Sequence, residues 1–451
     1  MRFLPMVYLV AKALDEERYA MKPSVYNYYL AIDDNASVIY NTLNRSFIEI
    51  DEDDYARMRD DLNSFSPEEI KLLLDNGFLV DDDCDESGFL SYQFERTRFS
   101  NETFAITIAP TLNCNFACAY CYETPRKDVL DDRGFEAILE FVNENYRIQQ
   151  FRKMQVNWYG GEPMLCIDKI VEWSVKLRDF SKQHGVEYGS HMITNGSLID
   201  ETNAEKIVEC GTTNVQITID GWGDRHDIRR PARDGSKRFN DVLMAARYLS
   251  DRGVEVSCRM NIDENNLIDY YRLSDVFSNR ENVYVHVGHL RDYEPLDPCE
   301  YRCFSCSSFS AAEFEVFSRS GYSLDDLENI FSMRRMFCGA CNENSYVVDE
   351  RCNVYKCWND IGDDSMVIFN LLTDKEMRHV NYKALLTYLK WNPFVDDACA
   401  SCQWMPICGG GCVFETRKLG EPFCYPPKYS IEKYLKLYFK EVNRNETSQE
   451  S

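Results

Sequence analysis

"TLNCNFACAYCYE", residues 111–123, sets Cys114, Cys118 and Cys121 at C-x3-C-x2-C spacing and closes on Tyr122 and Glu123. Three thiolates are one short of a closed four-ligand metal site. A 4Fe-4S cluster takes one ligand per iron, so a set of three leaves one iron open to a small chelating molecule. Three thiolates joined by a distant fourth ligand would instead make a structural zinc site. The stretch directly follows "FAITIAP", a β-rich run, which puts the cysteines on the loop at a strand's carboxyl end.

Outward from this point, residues 100–310 alternate short β-rich runs with longer amphipathic ones. The strand candidates are "FAITIAP", "MQVNWY", "EYGSHMIT", "NVQITID", "EVSCRMNI" and "NVYVHVG". Stretches such as "DRGFEAILEFVNENY" and "FNDVLMAARYLSDRG" between them repeat apolar residues at helical spacing. Six βα units in succession predict an α/β fold, a parallel sheet with right-handed crossovers closed or nearly closed into a barrel. Working residues in such barrels lie on the loops after the strands. "GGEP" (160–163) follows the second strand, "NGS" (195–197) the third and "DG" (220–221) the fourth, while Arg259 and Asn261 lie late in the fifth. Polar or cysteine groups at successive strand ends predict one site on one rim.

Residues 1–95 form a different module. Two alternating runs around "DDNAS" predict a hairpin, and two helices follow, the second with a capping-box pattern at Ser66 and Glu69. The result is a winged-helix-like α+β element, with a strand edge suited to binding a peptide or simply packed against the barrel. Residues 331–430 hold nine cysteines in a loop-rich stretch that relies on inorganic cross-links rather than a large core. Residues 431–451 read as an amphipathic helix with a frayed end.

The chain has 451 residues, enough for two or three domains, and a formal net charge of −25. That charge excludes nucleic-acid binding through phosphates, which needs clustered Lys and Arg. No apolar run is long enough to span a bilayer, so no membrane partner is expected. The N-terminal apolar stretch meets Asp15, Glu16 and Glu17 without a small-residue cleavage site, which predicts no signal peptide and a cytoplasmic location. In a reducing compartment, nineteen cysteines point to metal or cluster ligation rather than disulfides. Cys166, Cys210 and Cys258, isolated in apolar patterned segments, are expected to be core hydrophobes.

The cysteine triplet with Tyr120 inside it, followed by "GGEP", resembles the radical S-adenosylmethionine (SAM) superfamily. The resemblance implies a partial (β/α)6 TIM barrel, a 4Fe-4S cluster on Cys114, Cys118 and Cys121, and SAM on the open iron, cleaved reductively to a 5'-deoxyadenosyl radical. It further implies that Gly160, Gly161 and Glu162 meet the methionyl amino group and that Asn195 and Gly196 lie near the nucleoside. Thr218 and Asp220 stand where further cofactor contacts fall. Arg230 and Arg259 are candidates for the methionyl carboxylate, which guanidinium binds with two parallel hydrogen bonds; either is equally compatible with a surface ion pair.

"CASCQWMPICGGGC" followed by Cys424 resembles the SPASM domain of peptide-modifying members, which carries two auxiliary clusters. The resemblance assigns Cys399, Cys402, Cys408 and Cys424 to one, and Cys338, Cys357 and Cys412 to the other, with Cys341 or Cys352 as its fourth ligand. The family usually has Gly where Cys352 stands. Cys299, Cys303 and Cys306 repeat the triplet spacing after the sixth strand without its aromatic-acid tail, and are expected to be spare thiols or alternative ligands. The N-terminal module resembles PqqD-like leader-recognition elements.

The implied function is a radical maturase of a ribosomally made precursor peptide, with an electron donor such as flavodoxin or ferredoxin. The leading specific expectation is a Cys thioether crosslink, with carbon–carbon cyclophane formation as the alternative. Sulfatase maturation is more remote, because that subgroup has Asp after the cysteine matching Cys357, where this chain has Trp358. A non-catalytic zinc or iron–sulfur protein is the rival from another class.

Overall fold

The structure is a computed structural model, and it describes residues 20–32, 36–291, 301–373 and 379–449. The chain divides into two compact units: residues 1–97, 321–338 and 392–451 make one, and residues 98–320 and 339–391 the other. The cysteine-rich segment expected over 331–430 is therefore shared between them.

In the first unit, β1 (Met21–Pro23) pairs with β5 (Leu79–Asp81). Between them in sequence, β2 (Asn27–Ala31), β3 (Ser37–Asn41) and β4 (Phe47–Glu49) form an antiparallel sheet. Residues 33–35 of the expected hairpin turn lie outside the described residues, as do residues 1–19. Helices Glu52–Asp60 and Pro67–Asp75 follow β4, and the second opens on the expected Ser66–Glu69 capping box. Asn41 locks the sheet to its surroundings, its amide donating to Asn27 Oδ1 at 2.9 Å and to the Gly77 carbonyl at 3.0 Å.

The C-terminal cysteine segment belongs to this same unit. Tyr26 and Leu90 pack with Met405, the Tyr28 and Trp404 rings lie 4.5 Å apart, and Gln403 donates to the Asn27 carbonyl at 2.6 Å. Helix Ile431–Gln449 completes it.

The second unit is built on nine strands: β6 (Thr103–Ile108), β7 (Lys153–Trp158), β8 (Glu187–Thr194), β9 (Asn214–Thr218), β10 (Glu255–Ile262), β11 (Val283–His289), β12 (Ser345–Val348), β13 (Asn353–Tyr355) and β14 (Phe369–Asn370). Strands β6 to β11 are the six expected ones, each parallel to the next. The sheet does not close. Beyond β6 it is extended by β12, parallel, and then by β13 and β14, antiparallel, leaving β11 and β14 as the edges. The barrel is thus partial, and the cysteine-rich segment 339–391 builds its open side.

Period-two alternation sorts the faces. Phe104, Ile106, Met154, Val156, Trp158, Val215, Ile217, Val256 and Cys258 pack against the helices, where Phe135 stacks on Trp173 at 4.9 Å. Gln155, Asn157, Gln216, Thr218, Arg259, Asn261 and His286 occupy the alternate positions on the opposite face. A parallel sheet covered on both sides normally carries apolar residues on both, so a polar second face marks where a ligand is handled. Cys166, Cys210 and Cys258 are buried, as expected of core thiols. No helix among the described residues is long and apolar enough to cross a membrane.

Candidate active site at the carboxyl ends of the strands

The loop after β6 carries Cys114, Cys118 and Cys121, and the loop after β7 is fastened to it. Gly161 N–H donates to the Thr111 carbonyl at 3.0 Å and Glu162 N–H to the Asn113 carbonyl at 2.9 Å. A Cβ on Gly160 would stand 2.5 Å from the Thr111 oxygen, and one on Gly161 would stand 2.4 Å from the Asn113 oxygen. Both glycines are required for the two backbones to approach.

Glu162 is fully buried, and its carboxylate accepts three hydrogen bonds from this chain: from Met164 N–H at 2.9 Å, Thr194 Oγ1 at 2.7 Å and Asn195 N–H at 2.8 Å. Burial raises its pKa despite those donors. Its observed role is to join the loops after β7 and β8. Asn195 continues the chain of contacts, its amide donating to Asn115 Oδ1 at 2.8 Å and reaching the Cys114 sulfur at 3.8 Å. Gly196 has φ +78°, and a Cβ there would meet Ile217 at 2.9 Å.

Asp220, fully buried after β9, accepts the Asn261 N–H at 2.8 Å through one oxygen. Through the other it pairs with Arg230 at 3.2 Å and takes a hydrogen bond from the Tyr120 hydroxyl. Tyr120, inside the cysteine motif, is therefore held by the residues that end the fourth βα unit, and Arg230 spends its charge on Asp220. Thr218 is buried in register with Arg259.

Arg259 is different. Its Nε donates to Asn261 Oδ1 at 3.0 Å, and among the described residues no carboxylate stands within ion-pair distance of it. Gly288 gives it room, because a Cβ there would come within 2.4 Å of the Arg259 Nε. His286 lies beside it, with Nδ1 3.2 Å from Ser257 Oγ. Burial, with the Arg259 charge, lowers its pKa to about 4, which keeps the imidazole neutral.

Burial pushes the Cys114 thiol up to about 12, with Glu162 adding to the effect. It raises Cys118 against the opposing charge of Arg230, and lifts Cys121 to about 11 with help from Glu123. Cys118 adds to the rise at both Cys114 and Cys121, which places it near each of them, and metal binding must displace their protons. No three His, Cys, Asp or Glu side chains among the described residues already stand at coordination spacing.

In the first unit, burial drives Cys399 to about 12, and Asp396, Cys408, Cys402 and Cys424 each add to the shift, so all four expected ligands are neighbours. Lys428 Nζ reaches the Cys424 sulfur at 3.5 Å. Cys338 and Cys412 are a second neighbouring pair there. Cys341, Cys352 and Cys357 belong to the second unit, all buried. Cys352 occupies the β12–β13 turn at φ +65°, a backbone conformation suited to glycine. Its sulfur packs 2.8 Å from the position of a Cβ on Gly134. Cys303 and Cys306 flank the start of helix Cys306–Arg319, and Cys299 lies outside the described residues.

Sequence reasoning missed Asn115, His286 and Gly288. Strict alternation in "VYVHVGH" was the available signal for the last two, since it sets them opposite the apolar face. The donor sets of three and four thiols, with cationic Arg230 and Lys428 beside them, fit iron–sulfur clusters, and the polar sheet face with Arg259 fits a zwitterionic amino-acid ligand.

The domain that carries this site is that of a radical SAM enzyme, a class that uses S-adenosylmethionine and iron–sulfur clusters. Residues 108–268 match the model of the radical SAM superfamily. The chain is 23% identical over 320 residues to a cysteine-type anaerobic sulfatase-maturating enzyme of Clostridium perfringens (strain 13 / Type A), covering 66% of this chain and 85% of that protein. It is 26% identical over 337 residues to the mycofactocin maturase MftC of Mycobacterium ulcerans, covering 72% and 86%. Among solved structures, native anSMEcpe with bound AdoMet and Cp18Cys peptide superposes with a TM-score of 0.56 at 20% identity, covering 76% of this chain and 99% of that one.

Proposed function

We propose that this radical SAM enzyme matures a ribosomally made precursor peptide, forming an intramolecular crosslink, with a Cys thioether as the leading product and a carbon–carbon link as the alternative. The observation that carries the reading is the construction of the rim: the cysteine loop, the Gly160–Glu162 loop and Asn195 are hydrogen-bonded into one assembly beside Arg259, which has no carboxylate partner among the described residues.

When bound, SAM on the cluster held by Cys114, Cys118 and Cys121 supplies a 5'-deoxyadenosyl radical for hydrogen abstraction. The chain's own residues position the reactants. Arg259 binds the methionyl carboxylate, Asn195 orients the ligand beside Cys114, and Thr218 shares the polar sheet face in register with Arg259. Glu162, Asp220, Arg230 and Tyr120 hold these groups in place.

The N-terminal module grips the leader, and its packing against the Cys399–Cys408 segment within one unit supports a shared role in presenting the peptide. One auxiliary cluster is assigned to Cys399, Cys402, Cys408 and Cys424, all of the first unit; for the other, Cys341 is preferred over Cys352 as a ligand because the latter's sulfur is packed against the helix that contains Gly134. A flavodoxin- or ferredoxin-type donor and a cytoplasmic location complete the reading.

Sulfatase-type oxidation is disfavoured by the site of its expected base. Trp358 stacks on Tyr159 at 5.2 Å, and nearby Asp360 is buried and accepts the Tyr388 hydroxyl, so neither supplies the carboxylate expected after Cys357.

The test is the intact mass of the small peptide encoded beside this gene, co-produced with the enzyme without oxygen and then alkylated. Loss of two hydrogens per link with cysteines no longer alkylatable after reduction supports the thioether, and the same loss with free thiols moves the product to the alternative. An unchanged mass with every candidate peptide, from an enzyme that cleaves SAM, overturns peptide crosslinking. A colourless zinc protein overturns the radical reading itself.

A further inference from the structure

The four cysteines of the first unit have a cation of their own. Lys428 follows Cys424 by one short turn, in the Pro426–Ser430 segment whose prolines restrict the backbone. Its ammonium donates to the Cys424 sulfur at 3.5 Å, and its charge also acts on Cys402. Among the described residues no carboxylate forms an ion pair with it, although the chain carries 75 acidic residues against 50 basic ones. In such a chain a part-buried lysine aimed at two sulfurs, and at nothing else charged, calls for an explanation.

The opposing charge is also present. Asp396 lies near Cys399, but its carboxylate is committed to capping the next turn, accepting Ala398 N–H at 3.0 Å and Cys399 N–H at 3.2 Å. At the triplet, Arg230 is already paired with Asp220, and Arg233 donates its Nε to the Cys114 carbonyl at 2.9 Å rather than to a sulfur.

Hydrogen bonds to sulfur and net local charge are the protein's levers on an iron–sulfur potential. We infer that Lys428 raises the reduction potential of the auxiliary cluster held by Cys399, Cys402, Cys408 and Cys424, and so makes it an electron-accepting port. The step is a one-electron transfer from a low-potential donor of the flavodoxin or ferredoxin class. The donor is oxidised by one electron, the cluster is reduced by one and gains one negative charge beside the ammonium, and no bond or proton moves. The inference rests on the proposed ligation of these cysteines.

The test is an anaerobic potentiometric titration of the full reconstituted enzyme, followed by electron paramagnetic resonance, with K428M, K428Q and K428R compared to wild type. The neutral variants are expected to keep full iron content while one cluster becomes about tenfold harder to reduce, equivalent to about 59 mV for a one-electron couple. K428R is expected to stay near wild type. Unchanged potentials in both neutral variants, or an equal fall in K428R, would overturn the tuning role. Should K428M lose iron, K428Q and K428R carry the same comparison. Zinc in place of iron would defeat the ligation reading, an outcome visible in metal content before any titration.

Discussion

The backbone N–H of Asn195 donates to the buried carboxylate of Glu162 at 2.8 Å, tying the loop after β8 to the loop after β7. Through Glu162 N–H and the Asn195 amide, both residues also reach the cysteine loop. Glu162→Gln replaces one carboxylate oxygen with an amide nitrogen, which faces a donor with a donor. The expected cost is about 1–3 kcal/mol, with SAM affinity of the reconstituted enzyme lowered at least tenfold. Calorimetric titration with SAM checks the affinity and thermal melting the stability. An unchanged affinity would show that the junction is not what shapes the ligand site.

Arg230 and Arg259 are expected to separate on substitution. Arg230 is part of a buried pair with Asp220, and removing one partner of such a pair costs about 3–5 kcal/mol. Among the described residues Arg259 has no carboxylate to strand, so Arg259→Met is expected to leave the melting temperature nearly unchanged. It should weaken SAM binding by at least about tenfold, the value of a lost charged hydrogen bond. Measuring melting temperature and SAM affinity on both variants checks the split; equal profiles would refute it.

That difference was not legible in the sequence, where each arginine has carboxylates nearby along the chain. The pairing depends on the helix Asp224–Arg229 returning Arg230 to Asp220 while Gly288 opens space for Arg259. The six βα units were legible because their strands and helices are long enough to display a period, and the capping box at Ser66 is a local pattern. Strands β12 to β14 escaped notice because two to four residues cannot establish alternation, and they are held by pairing outward from β6. The division of the cysteine-rich segment between two units was equally hidden: composition reports the need for cross-links, not which core each half joins.

Gly161 tests how tightly the two loops must pack. A methyl group there would stand 2.4 Å from one backbone oxygen and 2.5 Å from another, neither of which can swing aside. Gly161→Ala is expected to destabilise the protein by about 1–3 kcal/mol and to reduce iron by about one four-iron cluster per chain, since the displaced backbone leads directly into Cys114. Gly185→Ala is the control. It caps a helix at φ +66° in open space, so it should cost about 1 kcal/mol and leave iron content intact. Equal iron in both variants would count against the packing argument.

Glu313 offers a pH-dependent test away from the cysteine sites. It lies on helix Cys306–Arg319, where burial raises its pKa from an ordinary 4.5 to about 7, and its Oε2 is buried without a hydrogen-bond partner. The folded state therefore holds this proton more tightly than the unfolded state does. Below pH 4.5 both states are protonated and Glu313 imposes no penalty. As pH rises towards 7 the unfolded chain ionises first and stability falls, and above 7 the folded protein carries a buried charge. The full penalty is on the order of 3 kcal/mol. Glu313→Gln removes this titration, so its stability advantage over wild type is expected to grow between pH 5 and pH 8. Glu123 and Glu350, raised to about 8 and about 7 chiefly by burial, titrate in both proteins and cancel in the difference. Denaturation midpoints at several pH values check the prediction, and parallel curves for the two proteins would contradict it.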